Sequence, residues 1–164
     1  MGDRRRDPRL YTLGIDPGKT TGWAVMDHRG VVRATGNWAM DDVLTGSDDV
    51  IRCVNRQSVD LEIVQEVLAK GRDGTLANDL KYVQTALTRV IEDTYDISRT
   101  FVLPGTWKNS RHALAPLPFT EWEGEPLTLH QRDAINLCRW RMANRSPDYK
   151  PRTRFLDMPG RHVR

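Results

Sequence analysis

Short apolar runs separated by turn residues recur along the chain, which is the pattern of β-strands. Five strands are predicted, over residues 10–16, 22–27, 31–38, 60–66 and 99–103. The turn His28-Arg29-Gly30 connects the second strand to the third, so the first three strands should form a meander. Pro104-Gly105 ends the fifth strand.

Two stretches show helical spacing of their apolar residues. Between Thr75 and Tyr95 these residues are Leu76, Leu80, Val83, Leu87, Val90 and Ile91. A last helix is predicted over 128–143, with Thr128 as its N-cap. Its buried positions should include Leu129, Ile135, Cys138 and Met142. Residues 40–58 are ambiguous, with helical character near 50–54. This order of elements predicts an α/β fold, a five-stranded mixed sheet flanked by helices.

Length and composition are those of one soluble globular domain, since 164 residues with 38% hydrophobic and 29% charged residues can bury a core. No apolar run approaches the ~18 residues of a membrane span, and no apolar segment follows the basic start of the chain. We therefore expect a cytoplasmic protein, in the host cytoplasm if a bacteriophage encodes it. Cys53 and Cys138 lack metal-ligand spacing, so two reduced thiols are expected, the second in a helix-packed core.

The net charge of +3 is unevenly distributed. Residues 1–9 carry +2 and residues 145–164 carry +4, whereas residues 10–144 carry −3. This division predicts a body with two basic arms that contact a polyanion such as nucleic acid. The arm residues expected to contact phosphates are Arg4, Arg5, Arg6, Lys150, Arg152 and Arg154. The alternative is that the termini are solvated tails that aid solubility.

Asp16 stands where the first strand gives way to a turn rich in Pro, Gly and Thr. One alternative is a purely structural role, in which Asp16 hydrogen-bonds the backbone of the turn. A phosphate-binding P-loop is the other alternative, because Gly14 to Thr20 ends in Gly-Lys-Thr. That motif needs four residues between its glycines, and here only three intervene. Asp16 would also repel phosphate, and Pro17 removes an N–H donor, so the P-loop is rejected.

Two further acids occupy positions that match Asp16. Glu66 ends the fourth strand, and adjacent strands could hold these two carboxylates close together. Asp133 on the last helix could complete the cluster, and His130 shares its helix face three residues earlier. Crowded carboxylates repel one another unless cations offset the charge, and Mg²⁺ prefers carboxylate oxygens. The constellation therefore predicts a two-metal site for phosphodiester hydrolysis.

Three segments resemble the motifs of RuvC-type Holliday junction resolvases. They are Leu13-Gly14-Ile15-Asp16-Pro17-Gly18 with Thr21-Gly22-Trp23, Ile63-Val64-Gln65-Glu66-Val67 with Ala69-Lys70, and His130-Gln131-Arg132-Asp133-Ala134. The resemblance covers about residues 10–143 and implies a ribonuclease H-like nuclease domain over 10–144. The distribution of charge adds a basic arm at 1–9 and a flexible basic tail at 145–164. The resemblance also implies a homodimer that cuts two opposed strands of a four-way junction symmetrically.

Carried onto this sequence, the resemblance implies that Asp16, Glu66, His130 and Asp133 bind two Mg²⁺ ions, with Mn²⁺ as a substitute. Lys108 would lie near the scissile phosphate, where a cation could stabilise developing charge. The remaining basic residues expected to contact DNA are Lys19, Lys70 and Arg111.

Alternatives remain for individual residues. Glu62 lies on the same strand face as Glu66 and could be the second acid instead. His130 could be a helix-face residue that only caps or packs, and Lys108 an exposed lysine on a turn. The segment 109–127 has no counterpart in the resemblance and is interpreted as an insertion.

The expected reaction is hydrolysis of branched DNA that leaves 5′-phosphate and 3′-hydroxyl ends. Other nucleases of this fold could instead prefer flaps, forks or RNA–DNA hybrids. A non-catalytic module that binds branched DNA is a further alternative. An actin-like sugar kinase also opens with such an Asp-containing turn, but those proteins duplicate the fold over a much longer chain.

Overall fold

A five-stranded mixed sheet forms the centre of the protein in the computed structural model, which describes residues 9–110, 115–146 and 148–149. Its strands are β1 (Leu10–Asp16), β2 (Thr20–Met26), β3 (Val32–Ala39), β4 (Asp60–Glu66) and β5 (Arg99–Val102), in the order β3-β2-β1-β4-β5. The first three strands are antiparallel, whereas β4 runs parallel to both β1 and β5. The predicted meander and mixed sheet are confirmed.

Helices lie on both faces of this sheet. They are α1 (Val43–Asn55), α2 (Asn78–Thr88), α3 (Pro104–Trp107) and α4 (Leu129–Ala143). A 3₁₀ turn at Met40–Asp42 leads into α1, a π-helical segment at Arg89–Thr94 continues α2, and a small hairpin pairs β6 (Glu121–Trp122) with β7 (Glu125–Pro126). The ambiguous stretch 40–58 therefore contains a full helix. The helix predicted from Thr75 begins at Asn78.

Alternation along β1 separates the two faces of the sheet. Leu13 and Ile15 are fully buried in the main core, which α1 and α2 cover. Asp16 belongs to the opposite face, where α4 packs. Ala134, Ile135 and Cys138 of α4 are buried against that face, so the charged end of β1 meets the start of α4.

The N-terminus of α4 begins as predicted. The Thr128 hydroxyl accepts from the backbone N–H of Gln131, and the Gln131 side chain accepts from the N–H of Thr128, a capping box. Leu129, however, is 71% exposed, so the prediction that it is buried was wrong. As the first residue after the cap it projects outward, and the buried stripe of the helix starts at Gln131 instead.

Two glycines let α4 approach the sheet closely. A Cβ on Gly14 would lie 2.3 Å from the carbonyl oxygen of Ala134, and one on Gly22 would lie 2.2 Å from that of His130. The helix backbone thus rests directly on β1 and β2 with no side chain between them. This contact fixes the height of His130 above the end of β1.

Both cysteines are free thiols, as predicted; Cys53 is exposed and Cys138 is buried. Burial raises the pKa of the Cys138 thiol to about 12, so it packs as a small neutral side chain. None of the helices in the described part of the chain is long and apolar enough to cross a membrane.

Candidate active site

Asp16 and His130 form the first contact of the site. Asp16 is 7% exposed at the end of β1, and its Oδ2 lies 2.9 Å from Nδ1 of His130 on the first turn of α4. Burial raises the pKa of Asp16, and the hydrogen bond and charge of His130 offset part of that rise. Because Nδ1 faces Asp16, the opposite ring nitrogen, Nε2, points away from this carboxylate.

Glu66 ends β4 beside Asp16. The parallel register pairs Ile15 with Gln65, so the next residues of the two strands, Asp16 and Glu66, leave the sheet side by side. Trp107 donates its indole N–H to Oε2 of Glu66 at 2.8 Å. Burial raises the pKa of Glu66, and the negative charge of Asp16 raises it further.

Lys108 links Glu66 to the third acid. Its ammonium nitrogen lies 3.8 Å from Oε1 of Glu66 and 3.8 Å from Oδ2 of Asp133. Burial raises the pKa of Asp133, and so does the charge of Asp16. Asp16 thus acts electrostatically on the other two carboxylates, and Lys108 and His130 partly offset the negative charge of the cluster.

Five of the predicted site residues are therefore brought together: Asp16, Glu66, Lys108, His130 and Asp133. Lys19 and Lys70 are exposed on the loops that follow β1 and β4. The Lys19 ammonium lies 3.9 Å from Oδ2 of Asp79, a long contact between exposed side chains. The predicted DNA contacts at Arg4, Arg5, Arg6, Arg111, Lys150, Arg152 and Arg154 lie outside the described residues.

Glu62 occupies a different environment from Glu66. It is 1% exposed and sits opposite Thr12, in the middle of the sheet. Its Oε2 accepts from Nε of Arg141 at 3.1 Å, and its Oε1 accepts from Arg145 and from the Thr12 hydroxyl. Two arginines already neutralise this carboxylate, so of the two candidates Glu66 is the one that shares a site with Asp16.

The donor set suits a hard divalent cation. Carboxylate oxygens are the preferred ligands of Mg²⁺ and Mn²⁺, and imidazole is compatible with Mn²⁺. Over the described residues, no three His, Cys, Asp or Glu side chains already have the spacing of a finished metal site. Instead the Lys108 ammonium contacts two of the acids. Burial raises the pKa values of all three carboxyls, and the charge of Asp16 raises those of Glu66 and Asp133 further. A bound cation would offset both effects, so the residues present fit one.

Trp107 is the site residue that sequence reasoning missed. Trp107 directly precedes Lys108, which places it near the predicted site. No sequence pattern, however, links an indole to an acid 41 positions away. Only the packing of α3 against the end of β4 makes the contact. A Trp followed directly by the predicted Lys108 was the sole local signal.

Glu66→Gln is expected to stabilise the protein in EDTA at pH 7. A carboxyl whose pKa is raised in the folded state favours folding below its unfolded pKa, and this contribution is lost as the pH rises through the folded pKa. The neutral amide avoids that loss, so the melting temperature should rise by roughly 2–4 °C. The gain should vanish near pH 4.

Glu62→Gln is the matched control for this measurement. It makes the same chemical change in the same strand, but it leaves Arg141 and Arg145 without their buried counter-charge. The melting temperature of this variant should fall. Equal shifts of the two variants would contradict the inference that the charge of Glu66 is less fully compensated than that of Glu62.

Comparisons with known proteins place the fold. Neither a protein-family model nor a curated protein sequence matches the chain. The Thermus thermophilus RuvC structure matches with a TM-score of 0.56 at 15% identity, over 79% of this chain and 91% of that one. The structure of T. thermophilus RuvC in complex with Holliday junction substrate matches with a TM-score of 0.53 at 16% identity, over 79% and 90%. The predicted fold class is confirmed: the chain has a RuvC-type, ribonuclease H-like fold.

Proposed function

We propose that this protein is a divalent-cation-dependent endonuclease that resolves four-way DNA junctions by nicking two opposed strands. The observation that carries the proposal is the meeting of Asp16, Glu66 and Asp133 with His130 and Lys108 on a RuvC-type fold. One of the solved structures of that fold holds a Holliday junction substrate. Fold alone does not assign function, so the argument rests on the site.

The three carboxylates are the residues that would hold Mg²⁺, and His130, whose Nδ1 lies 2.9 Å from Oδ2 of Asp16, would add an imidazole ligand beside them. When bound, divalent cations would lower the pKa of an attacking water and stabilise charge on the phosphate and on the leaving 3′-oxygen. The expected products carry 5′-phosphate and 3′-hydroxyl ends. Because Asp16 and Glu66 are nearly buried at strand ends, their carboxylates are held in place before substrate binds.

His130 and Lys108 have separate roles in this proposal. The hydrogen bond from His130 to Asp16 fixes the rotamers of both side chains and keeps Nε2 directed away from the carboxylate. Lys108 is 48% exposed, so its ammonium can leave the acids and contact a phosphate oxygen. There it would stabilise the charge that develops on the phosphate during the reaction.

The DNA-binding surface is proposed to extend from the site over the loops that carry Lys19 and Lys70. The basic segments 1–9 and 145–164 would add phosphate contacts around the nuclease domain at 10–144. Two symmetric nicks require two sites, and a homodimer would supply them.

The purified protein should be incubated with labelled four-way junction, fork, flap, RNA–DNA hybrid and linear duplex, each with Mg²⁺ and with EDTA. Paired symmetric nicks confined to the junction and lost in EDTA are the expected result. Broader cutting of branched DNA would favour a flap or fork nuclease, and selective hybrid cleavage a ribonuclease H activity. Binding without cleavage of any substrate would contradict the proposal and favour a structural module.

A further inference from the structure

Trp107 is buried beside the site in a small apolar cluster. It is 1% exposed and packs with Val64, Val102 and Leu137, while Trp140 of α4 covers the cluster from outside. Its indole N–H is directed at Glu66 and donates to Oε2 at 2.8 Å. An indole nitrogen can only donate, so in this apolar setting the carboxylate is the partner that makes its burial tolerable.

The hydrogen bond distinguishes the two oxygens of Glu66. Oε2 is engaged by the indole, whereas Oε1 faces the ammonium of Lys108. Rotation of the Glu66 carboxylate about χ3, or its movement away from the cluster, would break this buried hydrogen bond. The side of Glu66 that faces Asp133 and Lys108 is therefore fixed by Trp107.

We propose that Trp107 is a positioning residue that holds Oε2 of Glu66 and so directs Oε1 toward a divalent cation. The inference rests on the proposed function only in taking Glu66 as a cation ligand. Glu66 then presents Oε1 to the ion, and the indole acts as the outer partner that orients the carboxylate.

The same side chain also supports Lys108. The Lys108 ammonium lies 5.5 Å from the centre of the Trp107 ring, within the range of a cation–π contact. Trp107 therefore touches both the acid and the cation beside it. The two contacts are separable by substitution, because phenylalanine keeps an aromatic ring near Lys108 and removes the N–H donor, together with part of the buried volume of the indole.

The first experiment titrates Mn²⁺ into the protein without DNA and measures affinity by calorimetry. Trp107→Phe is expected to weaken Mn²⁺ binding roughly tenfold, the usual cost of losing an outer partner of a metal ligand. Trp140→Phe makes the same chemical change in a residue that packs against this cluster from α4. It should leave the affinity at the wild-type value. Equal affinities for wild type and Trp107→Phe would overturn the inference.

A second measurement needs no substitution of Trp107 and so survives if that variant folds poorly. The chain has five tryptophans, whose indole N–H signals can be followed by NMR during a Mg²⁺ titration of the wild-type protein. The signal of Trp107 should shift most, because its acceptor is the acid that binds the ion. A Trp107 signal that stays fixed while Mg²⁺ binds would refute the role.

Failure of the proposed function is separately visible. A wild-type protein that binds Mn²⁺ but cuts no branched DNA would contradict the endonuclease proposal, while the comparison of Mn²⁺ affinities would still decide the role of Trp107. If the wild-type protein cuts junctions but Trp107→Phe binds Mn²⁺ as tightly as wild type, the positioning role alone is refuted.

Discussion

Asp16→Asn should abolish junction cleavage while leaving junction binding largely intact. Asparagine has nearly the same shape, so the contact with His130 and the packing of the strand end persist. What is lost is the negative charge at the centre of the three-acid cluster. If that charge helps to hold the cations, its loss removes several kcal/mol of transition-state stabilisation, or roughly a thousandfold in rate.

Single-turnover cleavage of a labelled junction, with binding measured in Ca²⁺ or EDTA, separates the two effects. Asp27→Asn is the matched control because Asp27 is also a buried turn aspartate, at the opposite end of the sheet. Its carboxylate accepts from the backbone of Arg29 and Val31, and an amide oxygen can do the same. Near-normal cleavage by Asp16→Asn in Mg²⁺ would rule out Asp16 as a ligand.

Gly22→Ala is expected to displace the start of α4 and to damage both stability and activity. Gly22 pairs with Asp16 across β1 and β2, and an added Cβ would lie 2.2 Å from the backbone carbonyl of His130. The backbone of His130 cannot move aside as the end of a flexible side chain could, so the start of α4 must shift away from the sheet. Overpacking of this kind costs about 2–3 kcal/mol, which corresponds to a fall of roughly 5–10 °C in melting temperature.

Displacement of α4 should also lower the cleavage rate. His130 carries both the clashing carbonyl and the ring that contacts Asp16, and Asp133 lies one turn further along α4. Moving these groups by about 1 Å should cost on the order of a hundredfold in cleavage rate. Thermal unfolding and junction cleavage under saturating Mg²⁺ measure the two effects.

Gly105→Ala is the control for Gly22→Ala. A Cβ at Gly105 would meet nothing within 4 Å, and this residue also lies close to the site, between β5 and Lys108. Stability and cleavage should both stay near wild type. An unchanged melting temperature for Gly22→Ala would show that α4 can shift without strain, and the argument that glycine sets its height would then fail.

Stability and the proposed activity are expected to oppose each other at this site. The carboxyls have raised pKa values because they are buried and, at Glu66 and Asp133, because Asp16 is close by. Both effects destabilise the folded protein when the carboxyls are ionised. Cations that bind only the folded state would reverse the effect. The gain in stability expected of Glu66→Gln in EDTA and the loss of cleavage expected of Asp16→Asn are two consequences of one arrangement.

Local patterns identified most of the site because its residues stand at the ends of regular elements. The runs 10–16 and 60–66 match β1 and β4 residue for residue, so Asp16 and Glu66 were placed correctly at strand ends. Thr128 was identified as a cap because capping depends on neighbours three residues away. Leu129 was misjudged because the same apolar residue can face solvent when it immediately follows a cap.

By itself the sequence determined the five strands of the main sheet, two of the helices and the acids they carry, since alternation, caps and turn residues act over a few neighbouring positions. The full extent of α1, the short helix α3 and the β6–β7 hairpin came only from the structure. Only the tertiary structure decided between Glu62 and Glu66, because the counter-charges of Glu62 come from α4 and the residues after it, about 80 positions away. It alone brought Trp107 to Glu66 and showed why Gly22 must lack a side chain. Such contacts depend on packing between distant segments, which no local pattern encodes.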